Sequence, residues 1–421
     1  MARRLLIALI AVAIAIPAVA QEQPRFFIER IEVRGAHRVS PALIISETLL
    51  RTSTEYSEEE LSAASARLNR LPFLLSATFK LERGAERPRY TLVIEVEETT
   101  PFFFLLDTRA IVVENTPHKV VDYDFDPTND AKDAALGFRW FVGGRGIVHA
   151  GLAWQHDQRE FTTNYTSFVA GYTQYDLFGT RAFATFNLRY PVDVHAGDTL
   201  SPQFVAGLPL TARQTLTIDL EQTDRRPSGA SFALHDSERR FTLTWTYNTT
   251  DDPFVPTHGT IIRAAPLRTM RDRAAFQFET APLREVAYAQ HVNGFGADFS
   301  AAHYVQLNER DSVSAGLLAG WIRVDDRQHP QLRGDIIWRP TYEVLRGGWS
   351  RSLRPASDSR RDDSRIEAEA RIIRQQGNVS EGAALFGLSP VNRQSFEASF
   401  DWARRTRWGM LRLGVGYAWG R

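Results

Sequence analysis

The side chains that could move a proton, hold a metal or attack a carbonyl are scattered along this sequence rather than gathered. Ten histidines occur among 421 residues, but His149, His156, His195 and His235 lack the short, fixed spacings that present metal ligands together. His156 stands beside Asp157 and His235 beside Asp236. Neighbours on a strand point to opposite faces, so neither pair is placed to act as an acid–base couple. There is no G-x-S-x-G, H-E-x-x-H, phosphate-binding loop or dinucleotide fingerprint. Cysteine is absent, and thiolate and disulfide chemistry with it. These residues imply no enzyme, no catalytic residue, no metal and no cofactor. What remains is hydrogen-bonding chemistry, densest from Arg239 to Gly259, RRFTLTWTYNTTDDPFVPTHG. Asp251 and Asp252 can accept from nearby backbone N–H groups, Pro253 and Pro256 fix φ, Thr257 adds a hydroxyl, and Gly259 can take positive φ. His258 belongs to the same turn, where its role is structural.

A turn needs strands to carry it. Phe241, Leu243, Trp245 and Tyr247 fall on one face of an extended chain and Thr242, Thr244 and Thr246 on the other. Such a sheet is either half of a soluble sandwich or the wall of a barrel in lipid. Fifty basic side chains balance fifty acidic ones, which argues against a nucleic-acid partner.

The N-terminus settles the compartment. Arg3 and Arg4 precede an apolar run from Leu5 to Ile16, then Pro17 and Ala18-Val19-Ala20, the pattern of a secretory signal peptide over residues 1–20. No later segment is apolar enough for a spanning helix, so membrane residence would require a barrel. Residues 21–98 read as a small α+β unit. Phe26 to Gly35 is a strand. A helix follows with Ser40 as N-cap and Pro41 at its first position. Ser57 and Glu60 form a capping box ahead of a second helix carrying Leu61, Ala64, Leu68 and Leu71. Ser76 to Glu82 and Arg89 to Glu97 are strands. The expected product is two helices on one face of a three-stranded sheet.

Residues 99–131 are a linker or a first strand, with the apolar run Phe102 to Leu106. From 132 to 421 the period-two pattern recurs: Ala182 to Tyr190, Thr215 to Glu221, Ile366 to Ile372, Ser395 to Trp402 and Leu411 to Trp419. The polar faces carry both signs of charge. Trp154, Trp245, Trp402, Trp419, Tyr190, Tyr247 and Tyr417 sit near strand ends, as in the aromatic girdles of a lipid-embedded wall. The fold class expected is therefore mainly β: a transmembrane antiparallel barrel of about 14 to 16 strands behind one α+β domain. Its last strand would close against its first, although the chain lacks a terminal phenylalanine.

The strand–helix–helix–strand–strand order, with I-E-V-R-G at Ile31 to Gly35 and the helix SEEELSAASARLNRLPF, resembles a POTRA domain. That unit ahead of a barrel containing WTYNTTDDPFVPTHGT, together with Tyr175-Asp176-Leu177-Phe178-Gly179-Thr180, resembles the BamA/TamA superfamily of outer-membrane assembly and secretion proteins. The resemblance implies 16 strands and an outer-membrane location with the N-terminal domain in the periplasm. It implies a periplasmic turn at Asp251, Asp252, Pro256, Thr257 and Gly259, and a part in inserting or translocating other polypeptides. Its partners would be outer-membrane lipid, extended clients bound by strand addition, and periplasmic accessory proteins or chaperones. It also implies an arginine on an extracellular loop folded into the lumen. In VLRGGWSRSLRP the candidates are Arg354 and Arg346, beside the loop glycines Gly347 and Gly348. Two features depart from the pattern. Phe386-Gly387-Leu388 stands where the family has Phe-x-Asp-x-Gly, leaving Glu367, Glu369 and Asp401 as acidic partners, and the chain beyond Pro355 is short. The alternative is a passive pore or structural protein that kept the scaffold without the translocase activity.

Overall fold

The computed structural model describes residues 24–420 except 85, 87, 115–119, 124–133, 158–162, 193–199, 226–234, 253–255, 281–282, 327–335, 354–363 and 379–390. The signal peptide expected over residues 1–20 lies outside the described residues.

The N-terminal unit runs β1 (Arg25–Arg34), α1 (Pro41–Thr48), β2 (Thr54–Ser57), α2 (Glu58–Asn69), β3 (Leu74–Arg83), β4 (Arg89–Glu98). Pro41 starts α1, and Leu49 ends it in the left-handed region. The capping box opens α2: the Glu60 N–H donates to Ser57 Oγ at 3.2 Å, and the Ser57 N–H donates to Glu60 Oε2 at 2.8 Å. The sheet order is β2-β1-β4-β3, with β1 parallel to β4 and its other pairings antiparallel. It has four strands rather than the expected three, because TEYS adds a short edge to β1 at Arg25–Ile28. Both helices face this sheet over Ile28, Leu43, Ile44, Leu68, Leu92 and Ile94, all essentially inaccessible. Each such side chain contributes roughly 1.5–3 kcal/mol of transfer free energy.

The second unit is one sheet closed on itself. Its strands are β5 (Phe102–Glu114), β6 (Val120–Tyr123), β7 (Ala134–Val142), β8 (Gly146–Asp157), β9 (Thr163–Gln174), β10 (Phe183–Pro191), β11 (Ser201–Thr211) and β12 (Gln214–Arg225), followed by β13 (His235–Asn248), β14 (Gly259–Thr280), β15 (Leu283–Gln306), β16 (Asp311–Asp326), β17 (Ile336–Ser352), β18 (Ser364–Asn378), β19 (Val391–Thr406) and β20 (Gly409–Gly420). From β7 onward each pairs antiparallel with the next, β6 and β7 both pair antiparallel with β5, and β20 returns to β5. Phe102–Leu106 of β5 pair with β7, while Ala110–Val113 pair with β6. Strands β6 and β7 thus occupy one position in the wall, which among the described residues has fifteen. That number lies within the expected 14 to 16 and is one short of the 16 that the resemblance implies. In an up-and-down wall of odd number the first and last strands run the same way, and Gly409–Trp419 accordingly lie parallel to Phe104–Glu114.

The faces divide as the alternation requires. Leu136, Phe138, Trp140 and Val142 on β7, Phe204, Leu208 and Leu210 on β11, and Leu413, Val415, Tyr417 and Trp419 on β20 are large, apolar and 37–63 % exposed. They form the exterior. No described helix is long and apolar enough to cross a membrane.

Candidate functional site

Three constructions inside and below the wall hold the polar groups that sequence alone singles out. The first is the turn between β13 and β14. Asp251 accepts from the Thr257 N–H (2.8 Å), the Thr257 hydroxyl (2.6 Å) and the His258 N–H (3.3 Å). Burial pushes its carboxyl up, but these bonds and His258 outweigh it and hold it below the ordinary Asp range. Gly259 has φ +104°, and a Cβ there would lie 2.4 Å from the Thr249 carbonyl oxygen. The residue must be glycine for the strand to restart. Pro256 is half-buried at the same turn, and Asp252 leaves it for another partner.

That partner belongs to the second construction, the mouth. The connections at 143–145, 175–182, 212–213, 249–252 and 256–258 lie at one end of the wall, and the N-terminal domain is seated against this end. Phe73, fully buried, meets Tyr175 edge-on at 5.1 Å and Phe141 at 6.2 Å. Ile147 and Tyr175 join the domain's own core cluster, with Phe183 packed against it. The Ser40 N–H donates to the Gly144 carbonyl at 3.0 Å. Arg70 donates to the Thr250 carbonyl (3.1 Å) and the Ala212 carbonyl (2.9 Å). Burial and the nearby Arg67 push the Arg70 guanidinium down to about 10. Arg213 pairs with Glu59 at 2.6 Å. Arg405, on β19, pairs with Asp252 and donates to the Leu75 carbonyl of the domain at 3.4 Å. Five strands, β14 to β18, separate β19 from the Asp252 turn, so this pair crosses the opening. Both side chains are under 10 % exposed.

The third construction is the inner wall of β16 to β20. Register places Gly316, Arg346, Arg371 and Glu397 in one row, Gly348, Glu369 and Ser399 in the next, and Ser350, Glu367 and Asp401 in the one after. Arg371 Nε donates to Glu369 at 2.5 Å, and Arg412 pairs with Glu367 at 3.2 Å. Asp401 is fully buried and accepts from Ser399 Oγ at 3.4 Å. Arg346 stands directly opposite Gly316 of β16. A Cβ on Gly316 would meet its Nε at 2.5 Å; that glycine is the notch in which the guanidinium lies.

Arg346, Gly347 and Gly348 are therefore in strand β17, not in a loop folded into the lumen. In this strand Gly348 faces a close neighbour: a Cβ there would lie 2.7 Å from Ser314 Oγ. Arg354 and Phe386-Gly387-Leu388 lie outside the described residues. Glu367, Glu369 and Asp401 do share the inner face with Arg346. Sequence reasoning missed Arg70, Phe73 and Arg405, whose partners are far off in sequence. It also missed a chain of hydrogen bonds across β8 to β12. His149 Nε2 meets Asn187 Oδ1 (3.0 Å), Asn187 Nδ2 donates to Gln203 (3.1 Å), and Gln203 Nε2 donates to Asp219 (2.9 Å). Gly171 lies between the first two, and a Cβ there would strike both. No group of three or more metal-ligating side chains occurs among the described residues.

Fold and site define a class: a closed antiparallel barrel with an apolar exterior, a charged interior, and a small α+β domain seated in one mouth. The sequence matches no family model and no curated protein. Among solved structures it is similar to BamA from Haemophilus ducreyi lacking POTRA domains 1–3, with a TM-score of 0.40 and 11% identity, covering 93% of this chain and 84% of that one.

Proposed function

We propose that this chain is an outer-membrane barrel protein that assists the insertion or translocation of other polypeptides, with its N-terminal POTRA-like domain in the periplasm gathering the client. The observation that carries the membrane part is the exterior. Large apolar side chains alternate outward around the wall at exposures that water would not tolerate over so broad a band.

The client part rests on the edge of β3. At Ala77 the outward N–H and C=O are taken by the Asn69 carboxamide, at 2.8 and 3.0 Å. Beyond it, Thr78 to Arg83 runs on as an edge that is mostly exposed. An extended client adds there by main-chain hydrogen bonds, which depend little on its sequence. No nucleotide or metal is involved, and the client's own folding drives the step. Periplasmic accessory proteins or chaperones would deliver it.

The second reading, a passive pore or structural protein, is favoured by one observation: Arg346 is built into the wall and cannot pin a loop. Replacing Leu81 by Pro on the exposed β3 edge separates the two, because it removes an outward N–H from the edge on which a client would add. An assembly factor loses delivery of its clients, read as outer-membrane or secreted proteins that vanish from cells. A pore keeps its conductance in planar bilayers.

A further inference from the structure

Two arginines stand on the outer face of the wall among hydrocarbon side chains. Directly opposed residues of antiparallel strands share a face. The pairings run Phe186–Phe204, Phe204–Leu220, Leu220–Phe241, Phe241–Arg268 and Arg268–Phe295, so Arg268 stands between Phe241 and Phe295 in this row. One step farther from the N-terminal domain, Gln222 faces Arg239 and Arg239 faces Met270. Phe204 and Phe241 are each 40 % exposed, which fixes this face as the exterior. Arg239 and Arg268 are exposed with them. Neither has a hydrogen bond or ion pair among the described residues. The acids around them are used otherwise: Asp224 accepts from Gln222 at 3.1 Å, Asp272, on the outer face two residues beyond Met270, is engaged elsewhere, and Glu238, on the inner face, pairs with Arg240 at 3.5 Å.

The depth of these charges is informative. Arg239 lies eight residues above Tyr247 on β13, about 26 Å along the strand and about 20 Å in height at the usual tilt. An outward apolar band is about 25 Å tall. Both arginines therefore sit within its far part rather than in water. A groove of about 320 Å³ lies beside Arg239, lined by Phe186, Phe204, Leu220, Phe241 and Met270 with Glu221 and Arg240 at its margin, and Arg268 stands next to it on β14.

We propose that this groove and the two arginines bind a phosphorylated acyl glycolipid of the lipid A type, in the leaflet distal to the N-terminal domain. An acyl chain lies over the rings, and phosphate sits between the guanidiniums. A guanidinium facing lipid is costly unless it is paired, and its forked donors match phosphate oxygens two at a time. Arg239 and Arg268 stand on adjacent strands in diagonal positions, roughly 7–8 Å apart at the backbone, which suits a headgroup bearing more than one anionic oxygen centre. Asp224 lies one step beyond Arg239 and sets the level above which phosphate is repelled. The inference rests on the membrane reading above.

The test uses the purified full-length protein in detergent, exposed to lipid A, dephosphorylated lipid A, phosphatidylglycerol or phosphatidylethanolamine, with bound lipid read by native mass spectrometry. The wild type should retain lipid A at least about tenfold better than the Arg239→Gln/Arg268→Gln variant, and better than the other three lipids. Equal retention of lipid A with and without its phosphates by the wild type overturns the proposal even if the variant does not fold. Equal retention of phosphatidylglycerol overturns the glycolipid assignment. Insertion into lipid vesicles is scored separately. A chain that inserts but shows no headgroup preference refutes this inference alone, and one that does not insert refutes the membrane reading.

Discussion

At the residue scale, the most consequential contact is the Arg405–Asp252 pair. Two charges that are almost wholly buried attract strongly only while both are present, and removing one takes from the other the counter-charge that it meets across the mouth. Asp252→Ala should destabilise the protein by about 3–5 kcal/mol in equilibrium unfolding from micelles. The double variant Asp252→Ala/Arg405→Ala should cost less than the sum of the two single changes. Additive losses would mean that the pair does not act as a unit. On the exterior, Trp245 stacks on Tyr247 at 6.5 Å. Trp245→Arg should lower stability in lipid by about 2–4 kcal/mol if the residue lies at mid-depth, and by less near an interface. Arg346 illustrates how a residue can be noticed for the wrong reason. Its glycine neighbours read as a loop, whereas in the wall glycine marks a strand that approaches its neighbours closely.

Elements were legible where local chemistry decides them. The capping box at Ser57 and Glu60, Pro41 at the start of α1 and the glycine turn at Gly259 follow from rules that need only a few adjacent residues. Strand β2 was not legible, because four residues, Thr54–Ser57, are too few to display a period. The loop from His37 to Val39 depends on an acid at the far end of β4. Glu98 accepts from the His37, Arg38 and Val39 N–H groups at 2.8–2.9 Å and pairs with Arg38. Burial pushes Glu98 up, but these bonds together hold it below the ordinary Glu value of 4.5. A depressed carboxyl contributes stability above its unfolded pKa and loses it as pH falls through the folded one. The domain should therefore weaken in acid below about pH 4.5, and Glu98→Gln should flatten that limb of the profile. Glu47 has the opposite sign, since burial raises it despite Arg67. The comparison is thus between wild type and Glu98→Gln, measured by thermal unfolding across pH.

For the whole molecule, the period-two alternation foretold a mainly β chain, and the closed wall agrees with it. The strand number did not follow, because β5 pairs with two collinear segments and no local signal distinguishes two strands from one interrupted strand. The mouth was equally unreadable: Arg405 and Asp252 are 153 positions apart, and Phe73 gives no sign in sequence that its pocket belongs partly to Phe141 and Tyr175. The account stands on the two faces of the wall facing two solvents. The absence of native cysteine makes this directly measurable, with single cysteines placed from Thr242 to Tyr247, and from Leu413 to Tyr417, in the protein reconstituted in vesicles. Spin labels at Leu243, Trp245, Leu413 and Val415 should relax with oxygen dissolved in the bilayer. Those at Thr244, Thr246, Gly414 and Gly416 should not. A uniform response along either strand, or a protein that stays in the aqueous phase, would contradict the account.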